Sequence, residues 1–388
     1  MKFLVMGLVL LATTLCHGAE RYSIIHQFHE HANDLSSQEA LRPILRGDAL
    51  YGVTRGSGSQ DKGTIYRINK DGTGFSVVHK FAGYLDGYSP CGALADDGDY
   101  LYGMTSHDEA DNFGVIFRLK PDGSNFTTIH RFKGWHFDGA KPFGSFILDD
   151  GKLYGFTARG GSNDCGVFFR LNRDGSDYAF MHRFIGGRTD GATPYRTPIV
   201  DSNAFYGTTF AGGLRSKGVI FRINKDGSEH KILHHFTGRG NEAGNPSGRL
   251  FLYRDMLYGM TFDGGTGDKG CIYSIRKDGT GFTIIYSFPI TGYQGSRPHG
   301  SLALHRDTFY GLTRNGGHND AGVIFRVNPD GKQFTVLHRF SDPANKAIKD
   351  DGVEPYGSLT VGDDALYGMT RRGGKGGGVL FRYQLQNP

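Results

Sequence analysis

The chain has 388 residues, with 44 Lys plus Arg against 39 Asp plus Glu, a net charge of +5 and a pI near 8.8. Glycine is abundant at 61 residues, proline sparse at 13, and aromatics make up 13% of the chain, a balance that favours many short strands and tight turns over helices. The mild positive charge is compatible with an acidic partner, but there is no basic cluster or nucleic-acid-binding motif, so no nucleic-acid partner is expected.

From the N-terminus, Lys2 precedes an apolar run from Phe3 to Leu15, followed by Cys16, His17 and Gly18. This is the layout of a secretory signal peptide over residues 1–18, too short to span a bilayer. Thr13, Thr14 and Leu15 lack the small residue that a lipid-anchored cysteine needs before it. The expectation is an exported protein, extracellular or periplasmic, with no membrane span and with residues 19–388 as a single domain. Beyond Cys16 the cysteines are Cys91, Cys165 and Cys271, with no C-x-x-C spacing. One bridge at most can form; separate structural thiols and a metal ligand both stay open.

The rest of the chain is dominated by a repeat. The tyrosine of an (L/F)-Y-G triplet falls at Tyr51, Tyr102, Tyr154, Tyr206, Tyr258, Tyr310 and Tyr367, and five of the six intervals are 51 or 52 residues. A proline precedes each triplet, at Pro43, Pro90, Pro142, Pro194, Pro246, Pro298 and Pro355. Within one unit, "GSLAL", "TFYGLT", "GVIFRVN" and "FTVLHRF" are strand-length runs rich in β-branched and aromatic residues. An x-Asp-Gly turn joins the third run to the fourth, for example Asp71-Gly72, Asp122-Gly123 and Asp174-Gly175. Four antiparallel strands per unit without helical periodicity make the unit a propeller blade. The last unit ends at "GGVLFRYQLQNP" without a fourth strand, while "RYSIIHQF" near the start is a fourth strand with no blade before it. The expected fold is therefore all-β: a seven-bladed β-propeller of four-stranded antiparallel blades, closed by the N-terminal strand pairing into the last blade so that no sheet edge is left open.

The string L-Y-G-x-T-x-x-G-G followed by G-V-I-F-R, as in residues 309–326, resembles the tandem repeat called GloVer, found in secreted bacterial proteins. In architecture the chain also resembles the exported seven-bladed ulvan lyases, which cleave an acidic sulfated polysaccharide by elimination. That resemblance implies an active site combining histidines with a tyrosine and an arginine. It makes an acidic polysaccharide the expected partner; separately, the protein is expected to be a monomer. Elimination requires a group that neutralises the uronate carboxylate, a base for the C5 proton and an acid for the leaving oxygen. Arginine, histidine and tyrosine supply these without a required cofactor, though a structural metal is left open.

The loops between second and third strands and the connections between blades emerge on one face, here called upper, and vary from unit to unit, as functional loops do. Departures from the repeat on that face are the candidates. His299 stands in "RPHGSL", where other units place Cys91, Phe143, Tyr195, Ser247 or Tyr356, and His318 lies in the next loop of that blade. His107 occupies the corresponding loop of blade two. Two catalytic groupings result: His107 with Tyr154 and Arg170, or His299 and His318 with Tyr367 and Arg382. Trp135, His136, Tyr195, Arg196, Arg314 and Arg371 are the expected substrate-binding residues, the arginines for acidic groups and the aromatics for stacking on sugar rings. Asp108 and Glu109 are read as solvated, leaving no carboxylate pair for a glycosidase. The histidines repeated in the fourth strands, including His79, His130, His182, His234 and His338, are expected to be structural. A non-catalytic propeller that binds glycan or protein at the cell surface is the alternative.

Overall fold

A computed structural model describes residues 21–29, 42–56, 62–135, 138–238, 242–341 and 350–386. The expected signal segment 1–18 and His136 lie outside the described residues. Seven small antiparallel blades surround a central channel, and among the described residues the only helical element is one turn at His318–Asp320. No helix is long and apolar enough to cross a membrane. Blade three shows the plan, with an inner strand in two pieces, Gly139–Pro142 and Ile147–Asp149, then Lys152–Gly160, Val167–Asn172 and the outer Ala179–Arg183.

Ring closure is as the repeat predicts. Tyr22–His29 pairs antiparallel with Gly376–Gln384, the third strand of the last blade, and so becomes that blade's fourth strand. The same strand also takes part in a circle of stacked rings between blades. His79 stacks on Phe126, His130 on Tyr178, His182 on His230, His234 on Phe282 and Tyr286 on Phe334, with centroids 3.7–4.4 Å apart. Tyr22 lies on His338 and His26 on Phe75, which completes the circle through the N-terminal strand.

Four of these repeated histidines have a second bond, to an aspartate in the next connection. His79 contacts Asp86 at 3.1 Å, His130 contacts Asp138 at 2.7 Å, His182 contacts Asp190 at 3.0 Å and His338 contacts Asp351 at 2.7 Å. The aspartates also accept backbone N–H groups, as Asp86 does from Ala82 and Gly83, and each therefore ties a strand end to its connection.

The (L/F)-Y-G glycine has a steric cause. A Cβ at Gly311 would lie 2.4 Å from the Phe325 ring, and one at Gly52 would lie 2.3 Å from Tyr66. An aromatic of the third strand covers this spot in each blade, so a side chain there would displace the core. The threonine two residues on is fully buried, and at Thr157 its hydroxyl accepts the Val167 N–H and donates to the Arg159 carbonyl. The x-Asp-Gly turns are closed by the aspartate itself, Asp174 accepting from the Ser176 N–H at 2.9 Å.

The inner strand determines where a site can form. Between its two pieces four residues leave the ladder, at 143–146 in blade three and 299–302 in blade six, and line the channel. Inner strands approach so closely here that a Cβ on Gly300 would lie 1.8 Å from the Gly357 carbonyl oxygen. Blade four carries Arg196 at this position, where blades two, three, five, six and seven have Gly92, Gly144, Gly248, Gly300 and Gly357.

Candidate functional site

The channel holds a cavity of about 950 Å³ lined by equivalent residues of successive inner strands, among them Cys91, Phe143, Tyr195, His299 and Tyr356. A second cavity of about 220 Å³ adjoins it and shares Tyr195, Arg196, Phe210, His299 and Tyr356, with Arg314 in its wall. Because each inner strand runs from the upper face downwards, these residues stand just below its upper piece, part-way into the channel, a level called the mouth from here on.

His299 is at the centre of the group and is only 6% exposed. Its Nε2 lies 3.1 Å from Arg196 Nη2. A guanidinium can only donate, so the imidazole accepts and is neutral, with its proton on Nδ1. That Nδ1 is buried with no hydrogen-bond partner. The ring stacks on Tyr356 at 3.7 Å between centroids. Burial first, and then the charges of Arg196 and Arg314, hold its pKa well below the ordinary histidine value. Phe143, Tyr195 and Phe210 form an edge-to-face chain beside it, with centroid spacings of 5.4 and 5.7 Å. The mouth thus combines a neutral, proton-accepting histidine with a cationic donor, two phenols and an aromatic wall.

The remaining expected residues are not gathered here. Tyr154 pairs directly across the ladder with Arg170, and Tyr367 with Arg382, beside the lower turns. Arg170 bonds Asp177 at 2.6 Å and Arg382 bonds Asp364 at 3.3 Å. Six residues separate Tyr154 from the upper end of its strand at Gly160, roughly 20 Å at the usual rise per residue. No hydrogen bond, ion pair or ring contact joins Tyr154 or Arg170 to His107, or Tyr367 or Arg382 to His299 or His318, among the described residues; the tyrosine–arginine spacing belongs to the fold and turns each arginine to a carboxylate of the lower turns. His107 does not line the cavity; it stacks on Tyr88 at 5.0 Å and contacts Ser106 Oγ at 2.7 Å. Burial, with Lys141 and Arg55 adding to it, lowers its pKa to about 4. His318, half-buried in its helical turn, is likewise absent from the cavity wall.

Trp135 is 59% exposed and outside both cavities. Arg371 lies 3.5 Å from Glu354, which also stands 3.7 Å from Arg314. Asp108 corrects the expectation of a solvated carboxylate: it is buried, ion-paired with Arg131 and bonded to the Asp111 and Phe113 N–H groups. Glu109 pairs with Lys62. Cys91, Cys165 and Cys271 are in no disulfide with one another, and Cys91 and Cys271 are buried.

Tyr195, Arg196 and His299 are thus brought together, and Arg314 borders them. Sequence reasoning marked Tyr195, Arg196 and His299 as departures from the repeat and Arg314 as a loop arginine for acidic groups, but did not join blade four to blade six. It did not single out Tyr356, Phe143 or Phe210 as site residues; the first two share the variable position of His299, a signal that was available.

Comparison with known families agrees with this architecture. The model of the Gloeobacter/Verrucomicrobia repeat matches residues 12–218 and again 194–388. The chain belongs to that repeat family. No curated protein matches it. Among solved structures, this family member is similar to an oligogalacturonate lyase in complex with manganese, at 12% identity and a TM-score of 0.57 over 91% of this chain and 90% of the other. An oligogalacturonate lyase from Vibrio parahaemolyticus gives 12% identity and a TM-score of 0.58, covering 94% of both chains. A puromycin-hydrolysing peptidase of Mycobacterium tuberculosis aligns at 10% identity and a TM-score of 0.56, over 92% of this chain but 54% of that one. At such identities the likeness is one of fold.

Proposed function

We propose that this protein is an exported lyase that binds a uronate-containing, ulvan-like acidic polysaccharide at the upper mouth of its channel and cleaves it by β-elimination. The observation that carries the reading is the contact between Arg196 and the neutral His299. A uronate carboxylate drawn to Arg196 is stabilised by a charge-assisted pair, which acidifies the C5 proton. The same movement takes the guanidinium N–H away from His299 Nε2 and frees that lone pair as the base. His299 removes the C5 proton, the C4–O4 bond breaks, and a C4–C5 double bond forms. The leaving oxygen takes its proton from a phenol, which we assign to Tyr356, stacked on His299. The substrate carboxylate also cancels part of the positive field, so the histidine becomes more basic when it is needed. Phe143, Tyr195 and Phe210 offer faces for sugar rings. The propeller fold shared with two oligogalacturonate lyases is consistent with this chemistry.

The test is incubation with ulvan and related polyuronates while following the ultraviolet absorbance of the unsaturated product. The wild type should generate product, and His299→Gln should not. No product across the panel would remove the lyase reading. A non-catalytic glycan-binding propeller is the second reading, favoured by the near-complete burial of His299. It predicts glycan retention on an affinity gel without any unsaturated product.

A further inference from the structure

Below the mouth, the channel contains two arginines that the proposed chemistry does not use. Arg42 and Arg249 each stand nine residues before the tyrosine of their unit, Tyr51 and Tyr258. The other blades have Ala93, Ser145, Thr197, Ser301 and Ser358 at that position. The hydroxyls there join inner strands around the channel. Ser145 Oγ accepts the Ala93 N–H at 2.6 Å, Thr197 Oγ1 accepts the Ser145 N–H at 2.8 Å, Ser301 Oγ accepts the Arg249 N–H at 3.0 Å and Ser358 Oγ accepts the Ser301 N–H at 2.9 Å. A guanidinium cannot accept and an alanine has no hydroxyl, so this girdle is broken at Arg42, Ala93 and Arg249, and two of the three breaks carry a positive charge.

Both line the 950 Å³ cavity, and neither side chain makes a hydrogen bond or ion pair with any described residue. Arg55 and Arg196 line the same cavity, whereas Asp96 is the only acidic side chain among its described lining residues. Asp96 is already held by Arg46 and the Gly98 N–H. Burial lowers the pKa of both channel arginines, and the nearby charge of Arg249 helps bring Arg42 to about 10. Two half-buried like charges in one channel wall, without a counter-charge in that wall, favour the entry of an anion.

We infer that the channel binds a small oxyanion, with Arg42 and Arg249 as its two clamps. The ligand class is a sulfate- or phosphate-like ion or a single carboxylate, which planar guanidinium groups recognise through paired N–H donors. This site does not depend on the elimination chemistry. It lies on different side chains, and filling it would relieve the repulsion in the girdle.

The test compares thermal unfolding of the whole protein in chloride with unfolding in inorganic sulfate, inorganic phosphate or monomeric glucuronate at equal ionic strength. A specific ligand raises the unfolding temperature by mass action, whereas general salting effects act on any variant. We expect the wild type to gain stability from at least one oxyanion beyond what the double variant Arg42→Met, Arg249→Met gains. In chloride the double variant should melt at the same temperature or higher, since it has lost a buried repulsion. A response to sulfate or phosphate alone assigns a free inorganic ion, and a response to glucuronate alone assigns a sugar carboxylate. Equal increments in wild type and variant would overturn the site. Should the double variant not fold, calorimetric titration of the wild type with inorganic sulfate, phosphate and glucuronate decides: a single saturable site for any of them supports the inference, and featureless heats for all three overturn it.

Discussion

His299 accepts from an arginine 103 residues earlier in the chain, and this one contact sets both its tautomer and its proton affinity. Because its pKa is depressed, the neutral form persists as pH falls through the ordinary histidine range near 6.5. The acid limb of kcat/KM should therefore lie below that range. In Arg196→Gln one of the two positive neighbours is gone, so the pKa should rise and the acid limb should move to higher pH, a displacement that pH–rate profiles would reveal. A limb that stays in place would show that Arg196 does not tune this histidine. Both residues were visible in the sequence as breaks in a regular pattern. Their meeting was not, because it depends on how far apart blades four and six stand across the channel. Tyr154 and Arg170 misled for the opposite reason: a spacing that recurs in every unit reports strand pairing, and here it is a cross-strand pair beside the lower turns.

At the scale of the strand, most of the blade was legible. Period, turn chemistry and runs of β-branched and aromatic residues gave the four strands, because each depends on neighbours a few residues away. The close packing behind the (L/F)-Y-G glycine was not legible, since it involves a ring from the next strand. Replacing Gly311 with alanine should destabilise the protein by about 1–3 kcal/mol, the usual cost of overpacking a core, measurable by denaturant unfolding. A negligible change would mean that the Phe325 ring can move aside. The Asp138 brace is a second case. Asp138→Ala removes the acceptor for both His130 and the Gly139 N–H and should cost roughly 1–3 kcal/mol for the buried donors left unmet. Asn, which keeps an acceptor, should cost less.

For the molecule as a whole, the N-terminal strand is both an edge cover and two members of the ring circle, through Tyr22 and His26. Tyr22→Ala should lower the unfolding temperature of the entire ring, because closure links the first and last blades. A loss confined to local fraying, seen as unchanged global unfolding, would show that closure is not cooperative. Acid should act globally too. His107, His230 and His234 have their pKa lowered to about 4, in each case mainly by burial. Between the ordinary value near 6.5 and about 4, the unfolded chain binds protons that the folded one refuses, so the contribution of these histidines to stability is present above that window and lost as pH falls through it.

The channel mouth as a seat for an acidic glycan is the claim on which the functional account rests, and equilibrium binding of an oligouronate to wild type and Arg196→Gln tests it most directly. Loss of one charge-assisted pair is worth about tenfold or more in affinity, so the variant should bind at least that much more weakly while its unfolding temperature stays close to that of the wild type. Equal affinity in the two proteins, or no binding by either, would contradict the account.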